Sequence, residues 1–225
     1  MCFSATASFT ASAALLGIGA LTLRRVHRPG DWPLAAIPFL FAIQQALEGV
    51  VWLSFGGTIH GMLLPATQLY SLFSHVLWPI YVPIAVWYAE PQGTRRRWLL
   101  GLMGVGIIVG VFLLYGMGTN PISARLVGQH IDYDSPHFFV IAALIGYFSA
   151  TTVSQLFSSH RWVRMFGVLA LASAAVAYLA YAQWFISVWC FLAALLSGVI
   201  YLHVRSPPDS STGSGISANP RWQRQ

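Results

Sequence analysis

Residues 94–117 read TRRRWLLGLMGVGIIVGVFLLYGM. Three arginines are followed by a long run with no charged side chain. About 20 apolar residues in helical form cover the ~30 Å of hydrocarbon in a bilayer. In lipid the backbone must satisfy its own hydrogen bonds, so such a run is a helix and not a strand. The basic block marks which end stays in the cytoplasm.

Working outward, comparable apolar runs occupy about 9–23, 33–55, 66–89, 136–158, 162–181 and 183–204, with 97–117 between the third and the fifth. The first is short and rich in Ala, Gly and Ser. Together they predict an all-α fold, an integral membrane bundle of seven transmembrane helices over residues 1–205. Composition agrees: 56% of the residues are hydrophobic and 8% charged, against roughly 25% charged in soluble domains. No water-facing surface can be built from that.

The loops set the orientation. All twelve basic residues are arginine. Arg24, Arg25 and Arg28 follow the first run, Arg95, Arg96 and Arg97 the third, Arg161 and Arg164 the fifth, and Arg205 the last. Arg221 and Arg224 lie in the tail, and Arg125 stands alone in an alternate loop. The positive-inside bias then puts the N-terminus outside and the C-terminus in the cytoplasm of a bacterial inner membrane. The net charge of +6 has the same origin, so a nucleic-acid partner is rejected and the lipid bilayer is the expected one. The first run has no basic segment before it, so it reads as a first helix and not as a cleavable signal, and Cys2 does not read as a lipoprotein cysteine. Residues 206–225, rich in Ser, Gly and Pro, read as a disordered cytoplasmic tail.

Several positions could carry chemistry. Glu48 lies within the second run, ~10 Å below the outer surface. An intramembrane carboxylate is costly and is a functional candidate by default. Gln44, Glu48 and Trp52 share one helix face. The competing reading is a protonated or hydrogen-bonded carboxyl that ties helices together. Cys190 lies at a similar depth in the last run, in a small, polar stripe with Gln183, Ser187, Ala194 and Ser197. Such stripes usually serve close packing. Cys2 is the other cysteine and falls on the same side. A Cys2–Cys190 disulfide, a pair of thiolate metal ligands and two independent thiols all remain open. His130, Asp132, Tyr133 and Asp134 cluster in the longest outer loop, either as solvated polarity or as a segment folded over the mouth of the bundle.

His75, in the third run, suggests a metal ligand, proton relay or haem ligand. Its spacing from Ser71 faintly resembles the serine–histidine motif of membrane ceramidase-like zinc hydrolases, but the last run lacks their His-x-x-x-His. No second histidine sits at its depth, which argues against bis-histidine haem. Retinal through a Schiff base is excluded because the chain has no lysine. Trp78-Pro79 and Pro83 predict a kinked third helix.

The opening Met1-Cys2-Phe3-Ser4-Ala5-Thr6-Ala7-Ser8-Phe9, the Gln44-Gln45/Glu48-Gly49/Trp52 block, the Trp78-Pro79/Pro83 block, Gly128/His130-Ile131/Tyr133 and Ser187-Val188-Trp189-Cys190-Phe191 resemble one bacterial family of small multi-pass membrane proteins, known as a domain of unknown function. The resemblance covers about residues 1–204 and leaves out His75 and the tail. It implies a helical membrane fold and no established activity.

Three expectations follow. The first is a polar site at the extracytoplasmic mouth that binds zinc or copper through Cys2, Glu48, His130 and Cys190. If catalytic, it would use Glu48, His130 and Tyr133 in a metal-dependent membrane hydrolase or redox enzyme, acting on a lipid or small molecule of the outer leaflet. The second is a proton- or cation-coupled small-solute transporter or channel using Glu48. The third is a non-catalytic redox sensor or membrane partner with a Cys2–Cys190 disulfide.

Overall fold

The computed structural model describes residues 4–205. Cys2 and the 206–225 tail therefore lie outside the described residues. Helix α1 (Ala5–Arg24) starts at Ser4, whose hydroxyl accepts the Ala7 N–H at 3.1 Å and satisfies one of the orphan donors of a helix start. Its small residues have a packing reason. Ser12 donates to the Ala42 carbonyl at 2.8 Å. A Cβ on Gly19 would come 2.8 Å from the Phe39 backbone nitrogen. Small residues let membrane helices approach backbone to backbone.

After a 3₁₀ turn at Pro29–Asp31 come α2 (Trp32–Ala35) and α3 (Ile37–Phe55). Pro38 has no N–H to offer the Leu34 carbonyl, which accounts for the hitch at Ala36 between them. The next stretch is α4 (Leu63–Ser71), a π-helical turn at Leu72–Leu77, and α5 (Trp78–Ala89). Where the prolines predicted a kink, the helix carries this widened turn. Pro79 cannot donate to the His75 carbonyl, so the ladder loosens just before it. Pro83 likewise leaves the Pro79 carbonyl without its helical donor. Helix α6 (Thr94–Thr119) covers that carbonyl at Gly106, where an added Cβ would lie 1.9 Å from the oxygen.

The segment after α6 departs from an all-helical fold. Strands β1 (Ser123–Val127) and β2 (His130–Asp134) pair antiparallel, from Val127↔His130 to Ser123↔Asp134. Gly128, at φ 63°, makes the tight turn. Residues 130–134 alternate, with Ile131 and Tyr133 buried, and that period of two selects a strand.

Helix α7 (Ile141–Phe148), a second π-helical turn at Ser149–Val153 and α8 (Ser154–Leu156) make one apolar stretch. Its helix begins at Ile141, later than the run at 136–158 suggests, because Ser135–Val140 forms turns below the hairpin. Helix α9 (Arg161–Tyr181) is joined through a 3₁₀ turn at Ala182–Trp184 to α10 (Phe185–Leu196) and α11 (Val199–Arg205).

Five stretches are long and apolar enough to cross a membrane: Ala5–Arg24, Pro29–Phe55, Leu63–Ala89, Thr94–Thr119 and Arg161–Arg205. Ile141–Leu156 is a shorter apolar one. The expected sixth and seventh runs thus appear as one stretch broken at the 3₁₀ turn.

The bundle has two chemically distinct ends. At one, Arg25 donates to the Tyr201 hydroxyl, Asp31 meets His203 at 3.3 Å, His160 Nε2 lies 3.0 Å from the Ala89 carbonyl, and Arg96 covers the Trp87 ring at 4.0 Å. At the other, Gln68 donates to the Ile122 carbonyl at 2.6 Å and the hairpin packs on the α9–α10 turn. The arginine-flanked ends therefore meet at one end of the bundle.

Candidate functional site

Near the hairpin end, α3, α4, α10 and β2 bring polar side chains together. Glu48 on α3 is fully buried. Ser187 on α10 donates to its Oε1 at 2.6 Å. One turn earlier on α3, Gln44 Oε1 accepts the Trp78 indole N–H at 2.7 Å. Cys190, one turn after Ser187, sits beside Gln44, Glu48 and Tyr70. Its thiol is buried and forms no disulfide among the described residues. Tyr70 on α4 stacks on Tyr133 of β2, with ring centroids 4.6 Å apart and planes 13° from parallel. Glu48, Cys190 and Tyr133, taken from three separate stretches of sequence, thus belong to one neighbourhood.

His130 does not join it. Successive side chains of a strand point to opposite faces, so His130 and Tyr133, three apart, diverge. Tyr133 turns into the bundle. His130 packs instead on Trp184 and Tyr181, at centroid distances of 4.4 and 5.8 Å. Burial holds its imidazole below the ordinary value of 6.5. A histidine depressed in this way contributes stability above its unfolded value and loses it as pH falls through the folded one. Docking of the hairpin is therefore expected to weaken on acidification below pH ~6.5. Hydrogen-exchange protection across residues 123–134, taken relative to the intrinsic rate at each pH, should fall there, and His130→Gln should flatten the profile. The same fall in that variant would assign it to another group.

His75 is a satisfied core histidine. Its Nδ1 lies 2.8 Å from Ser74 Oγ and its Nε2 2.8 Å from Ser135 Oγ. It ties the π-helical turn to the base of the hairpin.

Among the described residues, no three His, Cys, Asp or Glu side chains converge as metal ligands. Of the expected zinc or copper set, Glu48 and Cys190 are neighbours, His130 stands apart, and Cys2 and any pairing with it lie outside the described residues. The polar character of the site comes instead from groups that had not been singled out as candidate ligands. Ser8 Oγ, both amide atoms of Gln45, Thr67 Oγ1 and Ser71 Oγ are buried with no hydrogen-bond partner among the described residues. Gln45 is fully buried. Ser8 lies one turn from Ser12, which bonds Ala42, so it stands level with Gln45 between the antiparallel α1 and α3. The Gln44-Gln45 pair was the visible signal. Thr67, Tyr70 and Ser71 recur at helical spacing on α4 and could have been read as a second polar face.

Deeper in the bundle lies a narrow cavity, lined in part by Cys190, Trp78, Tyr147, Thr151, Thr152 and Gln155. It has room for a few water molecules.

No curated protein and no solved structure matches the chain. Residues 1–214 match the Family of unknown function (DUF6629), ten residues further than the resemblance in the sequence extends, and the chain belongs to that family.

Proposed function

We propose that the protein is a membrane transport protein that binds a small cation or proton-coupled solute at Glu48. In this reading seven crossings span a bacterial cytoplasmic membrane, with the N-terminus outside and the site in the outer half. The arginine distribution supports the orientation. One observation supports the function above the others: Glu48 and Gln45 are both fully buried, within one helical turn of each other, and the Gln45 amide is unpartnered among the described residues. Leaving a buried polar group unpaired costs about 1–3 kcal/mol. Buried polar groups held together next to a carboxylate are the donor set that a bound cation or solute requires.

Uptake of a panel of small monovalent cations into proteoliposomes, with and without an imposed proton gradient, tests this. Saturable uptake that is lost in Glu48→Gln is expected. Uptake equal to that of protein-free vesicles for every cation would defeat the reading.

A second reading has its own observation, the adjacency of the Cys190 thiol and the Glu48 carboxylate. With Cys2 as a third ligand, these would suit zinc or copper. Metal analysis of purified protein is then expected to show about one metal per chain, lost in Cys190→Ala. Metal-free protein in both preparations would remove it.

A further inference from the structure

Cys190 belongs to two polar groups of residues. It sits beside Gln44, Tyr70 and Glu48, and it lines the deeper cavity with Thr151, Thr152 and Gln155. Gln155 is 3% exposed. Its Nε2 donates to the Thr151 carbonyl at 2.6 Å, and its Oε1 has no partner among the described residues. The hydroxyls of Thr151 and Thr152 donate to carbonyls one turn back, at 2.8 and 2.7 Å. Their oxygens keep lone pairs to accept with. Most of the cavity wall is apolar, with Ile37, Phe41, Val82 and Phe166 among it; its few polar groups, on Thr151, Thr152 and Gln155, offer mainly acceptors, and no lining residue carries a positive charge.

The series continues toward the arginine-flanked end. Ser158, one turn after Gln155, donates to Glu90 Oε2 at 3.2 Å. The Glu90 carboxylate is 4% exposed and also accepts the Ser159 N–H, at 3.1 and 2.8 Å. Glu48, Cys190, Gln155, Ser158 and Glu90 are thus buried polar groups spaced from one half of the bundle to its other end, with the cavity between Cys190 and Gln155.

We propose that this series is a hydrated proton path, with Glu48 as its outer carboxyl and Glu90 as its inner one. Waters in the cavity, held by the oxygens of Thr151, Thr152 and Gln155, bridge the gap. The Glu48 O–H bond breaks as an O–H bond forms on a water beside Cys190, which passes a different proton to a cavity water. That water passes a different proton onward, and the Glu90 carboxylate accepts one and releases it to the cytoplasm. Nothing is oxidised or reduced. An acceptor lining stabilises the excess proton and disfavours anions. The inference rests on the reading of Glu48 as the ion-binding carboxylate and names its ion and route.

The test is proton entry into liposomes holding the purified protein and an internal pH dye, driven by an imposed membrane potential. Wild type is expected to conduct. Gln155→Leu removes the acceptor while keeping the size and should lower the rate about tenfold or more. Gln155→Glu should retain conduction, and Leu179→Ala, on the lipid-exposed surface, should leave it unchanged. Thr152→Val serves if Gln155→Leu does not fold. Wild-type rates in Gln155→Leu or in Thr152→Val overturn the path, and the Glu48 reading survives if Glu48→Gln still blocks cation uptake. A wild type that takes up cations but passes no protons also overturns the path alone. Loss of both activities in wild type overturns both.

Discussion

Glu48→Gln is expected to cut cation uptake by about 100-fold while the protein stays folded. The substitution keeps the shape and keeps an oxygen to accept the Ser187 hydroxyl, now at 2.6 Å from Oε1. It removes the charge. The size of the expected effect follows from weighing two terms. As a tie between α3 and α10, the Glu48–Ser187 hydrogen bond is worth about 0.6 kcal/mol, and at most ~1.7, by the range measured in membrane bundles. An ionised side chain at helix centre costs about 2.5–3.5 kcal/mol on insertion scales. The tie alone does not offset the charge, so a structural role gives little reason to keep glutamate over glutamine. Ser187→Ala separates the two roles. If Glu48 is only a tie, Ser187→Ala and Glu48→Gln should both leave transport intact, and Ser187→Ala should lower the melting temperature. If Glu48 binds the ion, Ser187→Ala should weaken uptake several-fold and Glu48→Gln should abolish it.

Gly106→Ala is expected to destabilise the bundle by about 3 kcal/mol, at the upper end of overpacking costs. The new methyl would lie 1.9 Å from the Pro79 carbonyl oxygen and 2.9 Å from its carbon. Backbone cannot rotate away as a side-chain tip can. Relief requires α5 and α6 to separate, which exposes a carbonyl that Pro83 has already deprived of its helical donor. Gly104→Ala, two residues away with nothing within 4 Å, is the matched control. It should be neutral or stabilising by about 0.5–1 kcal/mol, because alanine favours helix. Thermal melts of both variants in detergent decide the matter, and equal melting temperatures would show that the close approach carries no energetic weight.

The apolar runs and the arginine blocks by themselves determined that this is a helical chain with stretches able to cross a membrane, and that its basic ends gather on one side. Those properties depend on transfer free energies summed along the chain, which any ordering of neighbours leaves unchanged. Glu48 and Cys190 stood out for the same reason: a carboxylate or thiol within an apolar run is conspicuous without any knowledge of what it touches. The hairpin was open to reading too, since Ile131 and Tyr133 alternate with polar residues and Gly128 precedes them, yet its loop position hid it. What tertiary structure alone decided was which of these residues meet. It placed Tyr133 in the bundle and His130 on Trp184, made His75 a satisfied core residue, and set Gln155, Thr151 and Thr152 around a cavity shared with Cys190. Those pairings depend on strand parity, on two π-helical turns and on glycines that allow backbones to touch, so they arise between segments far apart in the chain, where composition and spacing carry no information.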